Sequence, residues 1–405
     1  MSATERLYYT DSHLLEFEAS VLSATESVSG WCAVTLDRTA FYPTGGGQPS
    51  DTGLLDTTPV IECIEQDDGA VLHIVQGRAP RVGARVKGRV DWERRHDHIQ
   101  QHTGQHILSQ ALVSLYGAET RSFRMMDEAS EIDVALKDPT DERVERAIDF
   151  ANRVIWEDRP ISVRLVTADE AAELPLRKDS AREGELRIIE IENFDLSPCG
   201  GTHARRTGEI GLIAARHWER AKGLVRIEFV AGHRALSDYR RANRTARSCA
   251  AHFSVARDEA AASVARLLEE HKQLQRRART LEEAAAQTEA EELVRDAAVG
   301  ADGTRVVART FDGRDAEGLK HLALAVISHT HTIALLGSRD GETARLIFAR
   351  SADASGDMNA LLREACLMLD GRGGGRPDMA QGGGRHIERL DEAIQSAAHS
   401  LSTND

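Results

Sequence analysis

Two short histidine motifs, far apart in the chain, constrain the fold more than any other feature. The first is Gln101-His-Thr-Gly-Gln-His106 and the second is Ser197-Pro-Cys-Gly-Gly-Thr-His203. The first lies in residues 95–115, where Ile99, Ile107, Leu108, Ala111, Leu112 and Leu115 recur with helical spacing. His102 and His106 therefore project from one helix face about a turn apart, and two imidazoles so placed can grip one metal ion. That spacing alone is weak evidence, because His96 and His98 make the whole stretch rich in histidine and His98 shares the same face. In the second motif, Gly200-Gly201 lets the backbone turn sharply enough to bring the Cys199 thiolate and the His203 imidazole together. Three imidazoles and one thiolate match the ligand number and softness that zinc favours. Four protein ligands ordinarily make a closed, structural site, whereas catalysis needs one ligand weak or displaced. The sequence leaves both readings open.

The surrounding pattern divides the chain into four parts. Residues 1–92 read as a small β-barrel or sandwich, with short apolar runs at 15–22, 31–36, 60–64, 70–75 and 85–90. A Gly/Pro-rich loop, Phe41-Tyr-Pro-Thr-Gly-Gly-Gly-Gln-Pro49, interrupts them. Residues 93–235 read as an α+β domain holding both motifs. A helix over 141–156 and strands at 131–136, 161–166, 186–191 and 225–230 join the histidine helix there.

Residues 236–300 read as a helical arm. No Gly or Pro occurs from 254 to 298, and Val264, Leu267, Leu274, Ala278, Leu281 and Ala285 fall on heptad a and d positions, with His271 as a polar break. A hairpin arm or short coiled coil fits this pattern, and so does one long helix docked on its own protein. Residues 301–405 read as an α/β domain with a strand at 304–310 and helices at 315–328 and 358–369. Strands at 332–336 and 343–349 flank the Asp-Gly turn in Ser338-Arg-Asp-Gly-Glu342. A glycine-rich loop from Gly371 to Gly384 precedes the last helix. The expected class is multidomain α+β: barrel, zinc domain, helical or coiled-coil arm, and C-terminal α/β domain.

No apolar run approaches the ~18–20 residues that cross a bilayer, and the acid-bearing N-terminus lacks the features of a signal peptide. Five scattered cysteines without CxxC spacing argue against a disulfide framework. A soluble, cytoplasmic protein without a membrane partner is expected. The net charge of −14 counts against a generic nucleic-acid binder. Locally, however, residues 204–247 hold 11 basic against four acidic side chains, beside the second motif. That stretch is either a solvated helix face or a phosphate-contacting surface.

His-Thr-Gly-Gln-His followed about 90 residues later by Cys-Gly-Gly-Thr-His resembles the editing domain shared by alanyl-tRNA synthetases and freestanding AlaX-type editing proteins. Threonyl-tRNA synthetases carry a related domain. Three further stretches agree with this resemblance. They are Thr39-Ala-Phe-Tyr-Pro-Thr-Gly-Gly-Gly-Gln-Pro-Ser-Asp-Thr-Gly53, Asp91-Trp92 with Arg95, and Thr202-His-Ala-Arg-Arg-Thr-Gly-Glu-Ile-Gly211. Gly373-Gly-Gly-Arg-Pro-Asp-Met-Ala-Gln381 resembles the C-terminal domain of alanyl-tRNA synthetase, the DHHA1-like type also found in DHH phosphoesterases. The likeness runs nearly the whole chain in matching order and is least specific over 236–300.

No region of several hundred residues precedes the barrel, so the expectation is the long AlaX form: editing without aminoacylation. The resemblance implies a zinc-dependent (Zn2+), ATP-independent hydrolase that removes serine, with glycine as a second candidate, from mischarged alanine tRNA. His102, His106, Cys199 and His203 would hold the metal. Thr44, or second Gln48, would bond the serine hydroxyl, with Ser122 and Arg124 as weaker pocket candidates. Backbone N–H groups of Gly45, Gly46 and Gly47, or of Gly200 and Gly201, would stabilise charge on the reacting ester. Arg205 and Arg206 would lie along the acceptor stem, and Arg372, Arg376 and Arg385 would meet the outer corner of the tRNA. A homodimer through the arm or the C-terminal domain is a further expectation. Two other readings compete: a non-catalytic tRNA-binding module with a structural zinc, and a phosphoesterase. His96-Asp97-His98 only superficially matches a phosphoesterase site, and a thiolate ligand suits zinc better than manganese.

Overall fold

Strict alternation in Arg85–Val90 buries Val86, Gly88 and Val90 and exposes Arg85, Lys87 and Arg89. That is the pattern of a strand with one face on a core and the other in water. It is one of six antiparallel strands that close into a barrel: β1 (Glu16–Glu26), β2 (Trp31–Leu36), β3 (Gly53–Leu55), β4 (Thr58–Glu65), β5 (Val71–Gln76) and β6 (Arg85–Val90). The order around the barrel is β1-β2-β5-β4-β3-β6, and closure leaves no unpaired edge. Phe17, Val34, Leu36, Phe41, Leu55 and Val75 fill the interior. The structure is a computed structural model that describes residues 3–26, 30–178, 186–300 and 302–402. The chain divides into two compact units, Met1–Cys249 and Ala250–Asp405.

Within the first unit, helix α1 (Trp92–Tyr116) starts where Asp91 accepts from the backbone N–H groups of Glu93 and Arg94, and it ends at left-handed Gly117. It packs with α2 (Asp141–Trp156) on a four-stranded antiparallel sheet made of β7 (Thr120–Met125), β8 (Ser130–Val134), β12 (Ile213–Ala221) and β13 (Leu224–Ala231), in the order β12-β13-β8-β7. Three more strands, β9 (Ile161–Val166), β10 (Leu186–Ile191) and β11 (Asp195–Pro198), form a separate antiparallel sheet. Helix α3 (Gly232–His252) follows β13 directly.

One buried ion pair ties α1 to the glycine-rich loop. Arg95 is fully buried, pairs with the buried Asp51, and also donates to the carbonyls of Ser12 and Ala40. Asp51 in turn accepts from the Tyr42 N–H at 2.6 Å. The loop between Tyr42 and Asp51 is thereby held against the histidine helix.

The second unit opens with α4 (Ala260–Asp296), a single helix of 37 residues. Its last turns are buried through Ala286, Ala290 and Val294 against α5 (Ala316–Ile327). The heptad residues Val264, Leu267, Leu274 and Leu281 are exposed. Thus only the C-terminal part of this helix docks within its own unit. The sheet that follows has the order β14-β15-β16-β18-β17. Its strands are β14 (Arg305–Asp312), β15 (Thr332–Asp340), β16 (Thr343–Arg350), β17 (Arg372–Gly375) and β18 (Met379–Gly384). The β14–β15 pair is parallel, with α5 as its crossover. Leu336 and Ile347 face the α4–α5 layer, while Leu335 and Phe348 face α6 (Met358–Met368) and α7 (Leu390–Ser402).

One expectation is corrected here. The glycine-rich segment 371–384 is not a loop but the β17–β18 hairpin. None of its glycines has a left-handed φ. Glycine is needed there because the strands and α6 approach closely: a Cβ on Gly382 would lie 2.6 Å from Cys366 Sγ. Among the described residues no helix is long and apolar enough to cross a membrane.

Candidate metal centre

Helix α1 is clamped so that its two ligand-type histidines face inward. Gln101 bonds both backbone groups of Ala231 on β13, donating to its carbonyl at 3.0 Å and accepting from its N–H at 2.9 Å. Gly104 makes this approach possible, since a Cβ there would sit 3.1 Å from the Ala231 Cβ. Strand β11 delivers the second motif: the Cys199 N–H donates to the Arg187 carbonyl of β10 at 3.0 Å. The turn then passes directly over His102. A Cβ on Gly201 would lie 2.2 Å from the His102 ring, so only glycine fits.

The four side chains converge. One ligand atom from each of His102, His106, Cys199 and His203 lies within 4.8 Å of the others. Cys199 Sγ is 3.3 Å from His102 Nε2 and 3.3 Å from His203 Nε2. The second nitrogen of each imidazole is already engaged. His102 Nδ1 donates to Gln48 Oε1 at 2.7 Å and His106 Nδ1 donates to Asp195 Oδ2 at 3.1 Å. His203 Nδ1 is 3.3 Å from Thr103 Oγ1. Such outer partners fix ring orientation and leave each Nε2 for the centre.

Electrostatics favour the ligating protonation state at Cys199, His102 and His203, but not at His106. Burial pushes the Cys199 thiol up, but the His102 and His203 imidazoles outweigh it and hold the thiol well below its ordinary value. Burial drives His203 down to about 3, which favours the neutral ring. Burial also lowers His106, but its hydrogen bond to Asp195 and the nearby thiolate leave it raised. Asp195 is fully buried, and burial alone would raise it. The His106 bond and Arg177, whose Nε donates to Oδ1 at 2.7 Å, instead hold it well below the carboxylate range. A thiolate with neutral imidazoles is the set a divalent metal binds, with protons released on binding; the donor set fits one, with His106 the ring that would have to give up a proton.

His102, His106 and Cys199 form part of the wall of a cavity of about 610 Å³. Gly45 and Gly46, β7 residues Thr120 and Ser122, and Tyr9 and Tyr42 contribute to the same wall, as do Arg6, Arg121, Arg177 and Arg187. The other expected residues are distributed unevenly. Gly47 packs beneath β7, where a Cβ would meet the Phe123 carbonyl at 2.3 Å. Thr44 is exposed and off the cavity wall, and its Oγ1 accepts from the Ser50 N–H at 3.1 Å. Gln48 is 1% exposed and sits behind His102, its Nε2 donating to Thr202 Oγ1 at 2.9 Å. Of the two residues expected to meet a substrate hydroxyl, Thr44 thus caps its own loop and Gln48 orients a histidine.

Ser122 is part of the cavity wall with its hydroxyl donating to Asp133 Oδ2 at 2.7 Å, whereas Arg124 turns to Glu131. Arg205 and Arg206 lie at the surface in ion pairs with Asp11 and Asp158. Arg372, Arg376 and Arg385 are exposed on the second unit. His98 is buried on α1 but does not join the cluster. Asp195, Arg177, Thr103 and Arg187 were not anticipated. Of these, only Asp195, four residues before Cys199, carried a hint: a carboxylate beside a ligand pair.

Three family profiles match the chain: "tRNA synthetases class II (A)" over residues 2–94, "Threonyl and Alanyl tRNA synthetase second additional domain" over 186–228, and "DHHA1 domain" over 303–403. The chain thus carries modules of the kind found with alanyl- and threonyl-tRNA synthetases, the second of them spanning Cys199 and His203. Among curated relatives, the alanine–tRNA ligase of Pyrobaculum neutrophilum is 34% identical across 97% of this chain and 44% of its own length. That of Methanoregula boonei is 32% identical across 96% and 43%. The chain therefore spans less than half of these ligases. The alanyl-tRNA editing protein AlaX-L of Pyrococcus horikoshii is 31% identical over 97% of both chains. The chain belongs to the AlaX-type family of alanyl-tRNA editing proteins.

Proposed function

We propose that this protein is a trans-editing hydrolase that cleaves the ester of alanine tRNA mischarged with serine, and secondarily with glycine, at a zinc centre in the cytoplasm. The observation that carries the reading is that three of the four convergent metal-binding side chains also line the cavity. A zinc that only stapled the fold would have no need of an open face. His102, His106, Cys199 and His203 would hold the zinc, which when bound supplies a Lewis acid next to the scissile carbonyl.

The chain's own groups do the rest. Gln48, Asp195 and Thr103 hold the imidazoles in register, and the Gly45–Gly46 backbone and the Cys199-Gly-Gly turn form the walls beside the reacting ester. Serine is accepted through polar groups on β7, where Thr120 and Ser122 line the cavity and their hydroxyls, donating to Ser109 Oγ at 2.6 Å and Asp133 Oδ2 at 2.7 Å, keep acceptor capacity. Discrimination against alanine then comes from leaving such a group unpaired. The exposed Arg372, Arg376 and Arg385 support tRNA contact by the second unit, and the exposed Val264, Leu267, Leu274 and Leu281 support pairing with a second copy along α4.

The test is release of amino acid from seryl-, glycyl- and alanyl-tRNA(Ala), with and without a chelator. Loss of serine with alanine spared, abolished by chelation and restored by zinc, is the expected result. No hydrolysis by zinc-loaded protein would leave a tRNA-binding module with a structural metal. Cys199→Ala is expected to lose zinc and activity together, and full zinc content in that variant by elemental analysis would overturn the ligand set.

A further inference from the structure

The cavity wall includes a buried arginine that pairs with no carboxylate among the described residues. Arg187 lies on β10 and is 6% exposed. Its Nε donates to the Tyr9 carbonyl at 2.9 Å, and its Nη1 donates to the carbonyls of Cys199 and Gly201, each at 2.8 Å. Its Nη2 is buried and has no hydrogen-bond partner. The guanidinium sits 5.4 Å from the centroid of the Tyr9 ring, and the residue lines the cavity. The other arginines of the wall are neutralised: Arg6 by Glu65, Arg121 by Glu119 and Arg177 by Asp195. Among the described residues no carboxylate pairs with Arg187.

A guanidinium keeps its charge in proteins, and a buried charge is costly unless neutralised and hydrogen-bonded; the Cys199 thiolate favours the Arg187 charge, but Nη2 remains unbonded. Nη1 fixes the turn that carries Cys199 and Nε holds the Tyr9 carbonyl, so Nη2 is left oriented and without a partner on a residue of the cavity wall. Arginine forms its strongest bonds with carboxylate and phosphate oxygens. The end of a charged tRNA, which this inference takes from the editing reading, offers an ammonium on the amino acid and a neutral ester. Its nearest anion is the phosphate on the 5′ side of the terminal nucleoside. A cavity of about 610 Å³ has room for that nucleoside as well as the amino acid.

We propose that Arg187 reads this phosphate: Nη2 donates to one of its oxygens and so sets the distance from the terminal phosphate to the ester at the metal centre. Arg187 is then a positioning residue that couples backbone recognition to the Cys199 turn.

The experiment uses serine joined through a stable amide to 3′-amino-3′-deoxyadenosine, prepared with and without a 5′-phosphate. Calorimetry measures binding of both compounds to the full-length, zinc-loaded protein and to Arg187→Met and Arg187→Lys, with zinc content determined on each sample. The wild type is expected to prefer the phosphorylated compound by roughly tenfold or more, the scale of one charged hydrogen bond. Arg187→Met should bring that ratio close to one, and Arg187→Lys, which keeps the charge, should retain part of it. Equal binding of the two compounds by the wild type overturns the inference without any variant. An Arg187→Met protein that weakens both compounds by the same factor also overturns it, reducing Arg187 to a brace for the turn. Binding of neither compound by the wild type would instead bring down the editing reading on which the inference rests.

Discussion

The two glycine-rich segments look alike in sequence and do opposite work. Around the metal centre, the loop through Gly45, Gly46 and Gly47 turns with left-handed φ values of 57° at Gly46 and 83° at Gly47. Gly45 and Gly46 form part of the wall of the cavity beside the His/Cys cluster. In the second unit, the glycines of 371–384 are not left-handed, and they let two strands and a helix approach more closely than side chains permit. The first set turns the backbone along the cavity wall, and the second lets strands and helix pack. Gly201 belongs with the first set in its purpose and with the second in its means, since it has no left-handed φ but lies against a ligand ring.

The comparison would be broken most directly at Gly201. A Cβ there meets the His102 ring at 2.2 Å, and that ring cannot withdraw because Gln48 holds Nδ1 and the thiol faces Nε2. Gly201→Ala should cut deacylation by about 100-fold, the penalty for shifting reactive groups by an ångström. Its urea unfolding curve should show the second unit undisturbed. Activity near wild type would mean that the turn yields and that close approach at the centre has no catalytic meaning.

Gln48→Ala comes next. Removing the acceptor behind a metal-bound imidazole typically costs 10–100-fold in metal affinity, and competition with a chelator would measure it. If Gln48 instead touched substrate, zinc affinity would hold and the serine-to-alanine preference would change.

These two residues also show where sequence reading succeeds and stops. His102, His106, Cys199 and His203 were legible because few residue types bind metal and their spacing shows which can meet. The bonds of Gln48 to His102 and of Asp195 to His106 were not legible because they depend on which distant segment folds against them. The sheet shows the same division. Its central strands β8 and β13 were read from their apolar content. Its edge strands β7 and β12 were not, because Thr120–Met125 and Ile213–Ala221 leave most positions in water and carry no apolar alternation. The second glycine segment was taken for a loop because a run of glycine signals backbone freedom and close packing alike.

Gly382→Ala tests the packing half of the comparison. The added methyl would meet Cys366 Sγ and the Gly373 Cα, both at 2.6 Å. Overpacking of this kind costs about 1–3 kcal/mol, read as a lower urea midpoint with zinc content and hydrolysis by folded protein unchanged. Adding Cys366→Ala should recover part of the loss, since contacting residues are not additive. No recovery would mean that the strand-to-strand approach, not the helix, sets the constraint.

The smallest effect is expected two residues from the start of the same hairpin. At Gly374 an added Cβ meets only Asn359 Oδ1, at an ordinary 3.4 Å, and the backbone is not left-handed. That oxygen accepts from the Gly375 N–H at 2.9 Å and has room to keep doing so. Gly374→Ala removes backbone freedom from the unfolded chain without a clash, so it should stabilise the protein by roughly 0.4–1 kcal/mol. Thermal unfolding of the full chain beside Gly382→Ala would give the contrast in one experiment. If Gly374→Ala destabilises as much as Gly382→Ala, the constraint belongs to the hairpin as a whole and not to the residues under α6. The division between glycines that pack and glycines that merely continue the strand would then have to be redrawn.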